Sequence, residues 1–328
     1  MNEALEVHTC SRCDRDSIIH QPYSGLHLCG THLVESVRKR IGKSLRKQLI
    51  LPKNSIKSLG RPFRVLVAIS GGKDSAILLY FMHSILGMRR DVELIAGVVD
   101  EGIDGYRSPS IDSAEKLCTM LNVQFERISY PDLSFPEMDN VVQLLPKISE
   151  NNDEADGMMP CSFCGVFRRQ GLNSLANRIG ADVMALGHNL DDVAQSVLMN
   201  MQKGEVDRTA RLAPHTTQPI EGLAPRIVPL RWIPEQEIHA AAIHLNLPIH
   251  HGDCPHAGGA MRQRSRDIIA TIEKDIPGSR HGLVQSMDRI RELASESKNI
   301  TKILSCERCG EPTSRPVCQS CTMKEWFE

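Results

Sequence analysis

Aromatic residues are scarce: Phe, Trp and Tyr make up 4% of the 328 residues, too few for a surface that stacks many successive bases. No apolar run approaches the roughly 18 residues of a membrane-spanning helix. The opening Met1-Asn2-Glu3-Ala4-Leu5-Glu6 is acidic and lacks the basic and apolar regions of an export signal. Acidic residues vanish between Ser36 and Lys73, where Arg38, Lys39, Arg40, Lys43, Arg46, Lys47, Lys53, Lys57, Arg61 and Arg64 all fall. The net charge of −1 therefore hides a strong segregation. Such a block can neutralise a polyphosphate backbone by releasing its counterions, or it can be a solvated helix face and linker. A smaller basic group, Arg262, Arg264 and Arg266, lies further on.

What is present is globular and cysteine-rich. Hydrophobic residues make up 41% and charged residues 24%, the balance of a soluble chain with one large core and smaller appendages. Eleven cysteines without an export signal indicate metal ligation in a reducing, cytoplasmic setting rather than disulfides. Strand-like runs at about 64–69, 93–99, 123–129 and 182–187 alternate with helical patterns at about 75–86, 109–121 and 165–180. That alternation predicts an α/β fold with a doubly wound parallel sheet, flanked by metal modules at both ends. A basic helix is expected over roughly 33–49, and a helix or two over about 264–300. The segment 131–160, rich in Pro, Asp, Glu and Asn, reads as a loop, and 204–228 as a second irregular stretch. The expected domains are 1–58 (zinc finger and basic linker), 59–270 (catalytic) and 271–328 (helix and zinc ribbon).

The run Val65-Leu66-Val67-Ala68-Ile69 leads directly into Ser70-Gly71-Gly72-Lys73-Asp74-Ser75. A buried strand entering two glycines and then a helix makes a nest of backbone N–H groups at a positive helix end, suited to pyrophosphate. Asp74 is placed to help hold magnesium against those phosphates. The Walker pattern is excluded, because it needs four residues between its glycines. After a second strand comes Gly187-His188-Asn189-Leu190-Asp191-Asp192. Its acidic pair, chiefly Asp192, suits magnesium binding or proton transfer, while helix capping accounts for at least one of the two. Ligands in such sheets bind beyond the carboxyl ends of the strands. The expected nucleotide-binding positions are Ala68, Ser70, Gly71, Gly72, Lys73, Asp74, Ser75, Val98, Asp100, Gly187 and Asp192.

Three cysteine groups carry different meanings. Cys10-x2-Cys13 with Cys29-x2-His32, and Cys306-x2-Cys309 with Cys318-x2-Cys321, each supply four ligands in two tight pairs, as tetrahedral structural zinc requires. His8, His20 and His27 leave room for another ligand choice in the first set. Cys161-x2-Cys164 and the distant Cys254 make an incomplete zinc set; Cys118 lies within a helical pattern and reads as core. Three thiolates on a 4Fe-4S cluster would leave one iron open for sulfide. The alternatives are a metal-free persulfide on Cys161 or Cys254, resolved by its partner, and three inert cysteines.

These motifs, in this order across nearly the whole chain, resemble the PP-loop ATP pyrophosphatases and, within them, the tRNA 2-thiolation enzymes of the archaeal NcsA, bacterial TtuA and eukaryotic cytosolic group. The resemblance implies that ATP and magnesium adenylate a carbonyl oxygen of a tRNA uridine and that sulfur then displaces AMP. It implies that Cys161, Cys164 and Cys254 hold a 4Fe-4S cluster with one open iron, and that Asp74 and Asp192 serve adenylation. It also implies a homodimer, a sulfur source that is either free sulfide or a ubiquitin-like sulfur carrier, and modification at wobble uridine 34 or, alternatively, uridine 54. Family members often carry Lys four residues after the second cysteine; here Arg168 stands there. Arginine keeps the charge and can stabilise phosphoryl transfer, but it cannot exchange a proton near neutral pH.

Overall fold

The computed structural model describes residues 7–215, 222–257, 261–296 and 304–328, without the side chains of 261, 262, 295 and 296. Five parallel strands form the central sheet in the order β5-β4-β3-β6-β7: β3 (Phe63–Ala68), β4 (Val92–Asp100), β5 (Gln124–Ser129), β6 (Val183–Ala185) and β7 (Arg226–Ile227). Successive β3 side chains serve opposite faces: Val65 and Val67 enter one core, Leu66 the other. One face is covered by α1 (Gly30–Gln48), α3 (Lys73–Leu86), α4 (Arg107–Leu121) and α9 (Glu235–His244); the other by α5 (Met138–Asn151), α6 (Pro160–Arg178) and α12 (Gln319–Glu325). The strand order reverses between β3 and β6, so the crevice that binds ligands in such sheets opens between Ser70 and Gly187.

The remaining elements attach to this body. A hairpin of β1 (Ile19–Gln21) and β2 (Leu26–Leu28) precedes α1, and α2 (Ser55–Leu59) precedes β3. Helices α7 (Leu190–Gln202), α8 (Val206–Ala210), α10 (Met261–Asp275) and α11 (Ser279–Glu296) pack beside the sheet, with Val193, Val197, Ile269, Val284 and Met287 in one apolar cluster. A boundary at 270/271 therefore cuts α10, and both α10 and α11 pack with the catalytic body. The C-terminal ribbon comprises β8 (Leu304–Ser305), β9 (Pro312–Thr313) and α12.

Two expectations need correction. Residues 131–160 are not simply a loop: they hold a short 3-10 turn, Pro131–Leu133, and the helix α5. Met138, Val141, Leu145 and Ile148 share one buried face of α5, a helical spacing that the segment's Pro, Asp, Glu and Asn content obscured. The stretch 204–228 contains α8 and β7, with residues 216–221 outside the described set.

The basic segment is also divided in use. Leu33, Val37, Ile41 and Leu45 bury one face of α1 in the main core. Arg40 pairs with the buried Glu237, Arg61 with Asp182 at 2.7 Å, and Arg64 with Glu93 at 2.7 Å. Arg38, Lys39, Lys43, Arg46, Lys47, Lys53 and Lys57 remain exposed.

Candidate active site

Both terminal cysteine sets assemble as expected. Cys10, Cys13, Cys29 and His32 bring their ligand atoms within 4.8 Å of one another, as do Cys306, Cys309, Cys318 and Cys321. Each set ends on a helix: Cys29 caps α1 and His32 lies in its first turn, while Cys318 caps α12 and Cys321 lies in its first turn. Burial alone would raise the Cys10 thiol, but the backbone N–H groups of Cys29 and Arg12 pull it down to about 6. Backbone N–H groups of Cys309 and Cys318 overcome burial in the same way at Cys306, also to about 6. Burial raises the Cys29, Cys309 and Cys321 thiols in the same sets, so each set holds one thiol disposed toward the thiolate beside others that a bound zinc would have to deprotonate. His27 stacks on His20 and meets His8 at a tilt, and none of the three joins the ligands.

The finger is docked through Glu237, which is 2% exposed. Gln21 donates to it at 2.8 Å and Tyr23 at 2.5 Å, and Arg40 forms an ion pair with it. The ribbon leans on α6: Phe163 meets Trp326 and Phe327 edge-on, and Asn173 bonds Glu311.

The phosphate nest is built between β3 and α3. Gly71 has φ +85°, and a Cβ there would stand 1.9 Å from the Ser110 carbonyl oxygen, so only glycine fits. The Ser75 hydroxyl accepts the Ser70 N–H at 3.1 Å and donates to the Gly72 carbonyl at 2.9 Å. Lys73 Nζ lies 2.9 Å from Asp74 and 2.7 Å from Glu235. Burial opposes its charge, but these two carboxylates hold its pKa above the usual lysine value. Asp74 also accepts from Asn189 at 2.8 Å, which ties the first motif to the second across the crevice. Ser70, Gly72, Lys73 and Asp74 form one wall of a cavity of about 300 Å³, and His250, His251, Gly252 and Asp253 form another. His250 N–H donates to the Gly71 carbonyl at 2.8 Å. The loop carrying Cys254 is thereby fastened directly to the nest.

The remaining expected positions make contacts within the scaffold. Asp192 completes a capping box with Asn189, accepting its N–H at 3.2 Å, and Asp191 accepts from Glu235 N–H and Arg280. Asp100 at the end of β4 pairs with Arg127 and accepts the Gly102 N–H. Val98 is fully buried in the core, and Ala68 packs against the opposite core. Gly187, just after β6, lies against the backbone of Ser75, where an added Cβ would make an ordinary contact at 3.4 Å.

Cys161 and Cys164 lie in the first two turns of α6, and Cys254 approaches from the loop after His250. Cys161 Sγ lies 3.7 Å from the His256 carbonyl. Burial raises the Cys161 and Cys254 thiols, and the neighbouring sulfurs add to the effect. Among the described residues these three sulfurs do not close to the 4.8 Å of the zinc sets. Three thiols are the soft donors that an iron–sulfur cluster takes. One turn along α6, Arg168 lies 3.3 Å from Cys164 Sγ and 2.6 Å from the carboxylate of Glu101, which is 1% exposed. Sequence reasoning passed over Glu101, whose partners lie elsewhere in the chain, and the pocket wall His250–Asp253; a cluster of His and Asp beside Cys254 was the available signal for the latter.

The chain is similar to known proteins along nearly its whole length. Residues 9–34 match the family model described as "2-thiouridine synthetase TtuA, N-terminal LIM domain". The tRNA 2-thiolation protein NcsA of Haloferax volcanii is 34% identical over 97% of this chain and 99% of its own. Cytoplasmic tRNA 2-thiolation protein 1 of Caenorhabditis briggsae is 32% identical over 95% of this chain and 79% of its own. The solved structure of the U34-tRNA thiolase NcsA from Methanococcus maripaludis with its 4Fe-4S cluster superposes with a TM-score of 0.78, at 33% identity and 97% coverage of both chains. Similarity of this extent, running from finger to ribbon, means that the chain belongs to the tRNA 2-thiolation family of NcsA and TtuA.

Proposed function

We propose that this chain is an ATP-dependent tRNA 2-thiouridine synthetase acting at wobble uridine 34, with structural zinc in the finger and the ribbon. The observation that carries the reading is the shared cavity: the phosphate nest and the loop leading to Cys254 line one space and are joined by the His250–Gly71 hydrogen bond. A uridine carbonyl is a poor electrophile because its oxygen leaves badly. In the first step the C2 oxygen attacks the α-phosphorus of ATP, and pyrophosphate departs into the N–H groups of Gly71 and Gly72. Asp74 helps hold magnesium, Lys73 faces the phosphates, and Arg168 stabilises the charge that develops. Asp192 flanks the same crevice from the start of α7.

In the second step sulfur adds to C2 and the C2–O bond breaks, releasing AMP and leaving the thiocarbonyl. Cys161, Cys164 and Cys254 would hold the 4Fe-4S cluster, which when bound supplies a sulfur atom positioned for attack. Their part is to fix that sulfur near the activated carbon, so that proximity replaces a dilute nucleophile. The exposed lysines and arginines of the basic segment attract tRNA phosphates, and the uridine is drawn from its stack to reach the cavity. Free sulfide or a carrier protein's thiocarboxylate replenishes the sulfur, and the enzyme works as a homodimer.

The test is anaerobic incubation of the iron-reconstituted protein with Mg-ATP, sulfide and tRNA, followed by mass spectrometry of nucleosides. The expected product is 2-thiouridine that is lost when uridine 34, but not uridine 54, is replaced by cytidine. Thiolation that depends on uridine 54 would move the site. AMP release without any thionucleoside would reject the sulfur-transfer reading.

A further inference from the structure

Glu101 presents an unusual arrangement for a buried carboxylate. A group only 1% exposed must be paired to be tolerated, and one guanidinium would neutralise it. Here two arginines form ion pairs with it, one at each oxygen: Arg107 Nε lies 2.5 Å from Oε2, close but without a hydrogen bond between those two atoms, and Arg168 Nε lies 2.6 Å from Oε1. Each guanidinium then reaches a different functional segment. Arg107 donates to the Ser70 carbonyl at 3.0 Å, within the nest, and to the Val99 carbonyl at 2.5 Å. Arg168 donates to Cys164 Sγ at 3.3 Å. An unbroken chain of charge-assisted contacts therefore runs from the phosphate loop to one of the three central sulfurs.

We infer that Glu101 is a positioning residue that couples the phosphate nest to Cys164 through Arg107 and Arg168. The inference rests on the proposal that the nest binds ATP. Phosphates arriving at the Gly71 and Gly72 N–H groups shift the Ser70–Gly71 peptide, and with it the Ser70 carbonyl that accepts from Arg107. Because Glu101 holds both guanidiniums, Arg168 and the sulfur it contacts follow. A merely structural ion pair would stabilise the fold without transmitting anything.

The test uses the full-length, zinc-loaded chain without its iron. Cys164 alkylation by iodoacetamide is followed by peptide mass spectrometry with and without Mg-ATP, and Mg-ATP affinity is measured in parallel. In the native protein Mg-ATP should change the Cys164 rate by about fivefold, a coupling near 1 kcal/mol. Glu101→Gln keeps the shape but sets an amide N–H against a guanidinium; it should abolish that response while Mg-ATP still binds. Should that variant not fold, Arg107→Lys serves, since a single ammonium cannot bridge Glu101 and Ser70 together. It too should lose the response. No Mg-ATP effect on native Cys164, or an effect that persists in either folded variant, overturns the inference. Absence of Mg-ATP binding to the native protein would remove the nest reading as well, and the direct affinity measurement separates the two failures.

Discussion

Replacing Gly71 by alanine should close the phosphate nest from within. The residue sits at φ +85°, where an L side chain costs about 1–2 kcal/mol. Its Cβ would meet the Ser110 backbone oxygen at 1.9 Å, a contact no rotamer can relieve, and overpacking of this kind costs about 1–3 kcal/mol. Together the two terms come to about 2–5 kcal/mol. If the loop stays in place, global stability carries the loss. If the loop shifts outward, nucleotide affinity carries it, because the loop must return to bind; at 1.4 kcal/mol per decade that is roughly 30-fold to several-thousand-fold weaker binding. Urea unfolding and calorimetric titration with Mg-ATP read the two outcomes together. Gly72→Ala is the steric control: its φ is −86° and its Cβ would come no closer than 3.6 Å to Ser70 Oγ, so its unfolding midpoint should stay near native. A Gly71→Ala protein with native midpoint and native Mg-ATP affinity would refute the account of the nest.

Substituting Cys161, Cys164 or Cys254 with alanine should remove iron from the anaerobically reconstituted protein and leave zinc content intact; elemental analysis showing full iron in any of them would exclude that cysteine as a ligand. Glu237→Ala strips Gln21, Tyr23 and Arg40 of their common acceptor. It should lower stability by about 3–5 kcal/mol in chemical unfolding, and a native midpoint would show that the finger is docked by other means. Burial pushes the Cys118 thiol from its ordinary value near 9 up to about 12. The unfolded chain therefore ionises first, and Cys118 contributes stability below pH 9 that is lost as pH rises toward 12. Cys118→Ala should flatten that part of the pH–stability profile, and an unchanged slope would count against it. Replacing Lys39, Lys43 and Lys47 with glutamine should weaken tRNA binding and reduce its salt dependence; an unaltered salt slope would remove α1 from the tRNA contact.

Much of this molecule could be read from its residues because the informative features were local. The β3 apolar run and the two glycines after it define a strand, a turn and a helix start within a dozen residues. The zinc sets are pairs separated by two residues, a spacing that already brings both sulfurs to one ion. What escaped depended on distant partners or on competing signals. Glu101 looks like any loop acid until Arg107 and Arg168 are folded against it. Asp100 occupies the expected strand end, yet Arg127 on the neighbouring strand pairs with its carboxylate. Arg40, Arg61 and Arg64 belong to the basic block by sequence, but each has an acidic partner far along the chain. In α5 the apolar spacing was present, while Pro146 and the surrounding polar residues argued for a loop.

The ribbon's packing on α6 gives the metals of this protein an order of dependence. Trp326 and Phe327 press on Phe163, which lies between Cys161 and Cys164, and Glu311 holds Asn173 nearly three turns further along the same helix. So small a ribbon has little core of its own, and with the proposed zinc bound it would owe its shape to that ion. On that proposal a cell starved of zinc would slacken the rear support of the thiol-bearing helix, and iron loading would suffer from scarcity of a metal that never touches it.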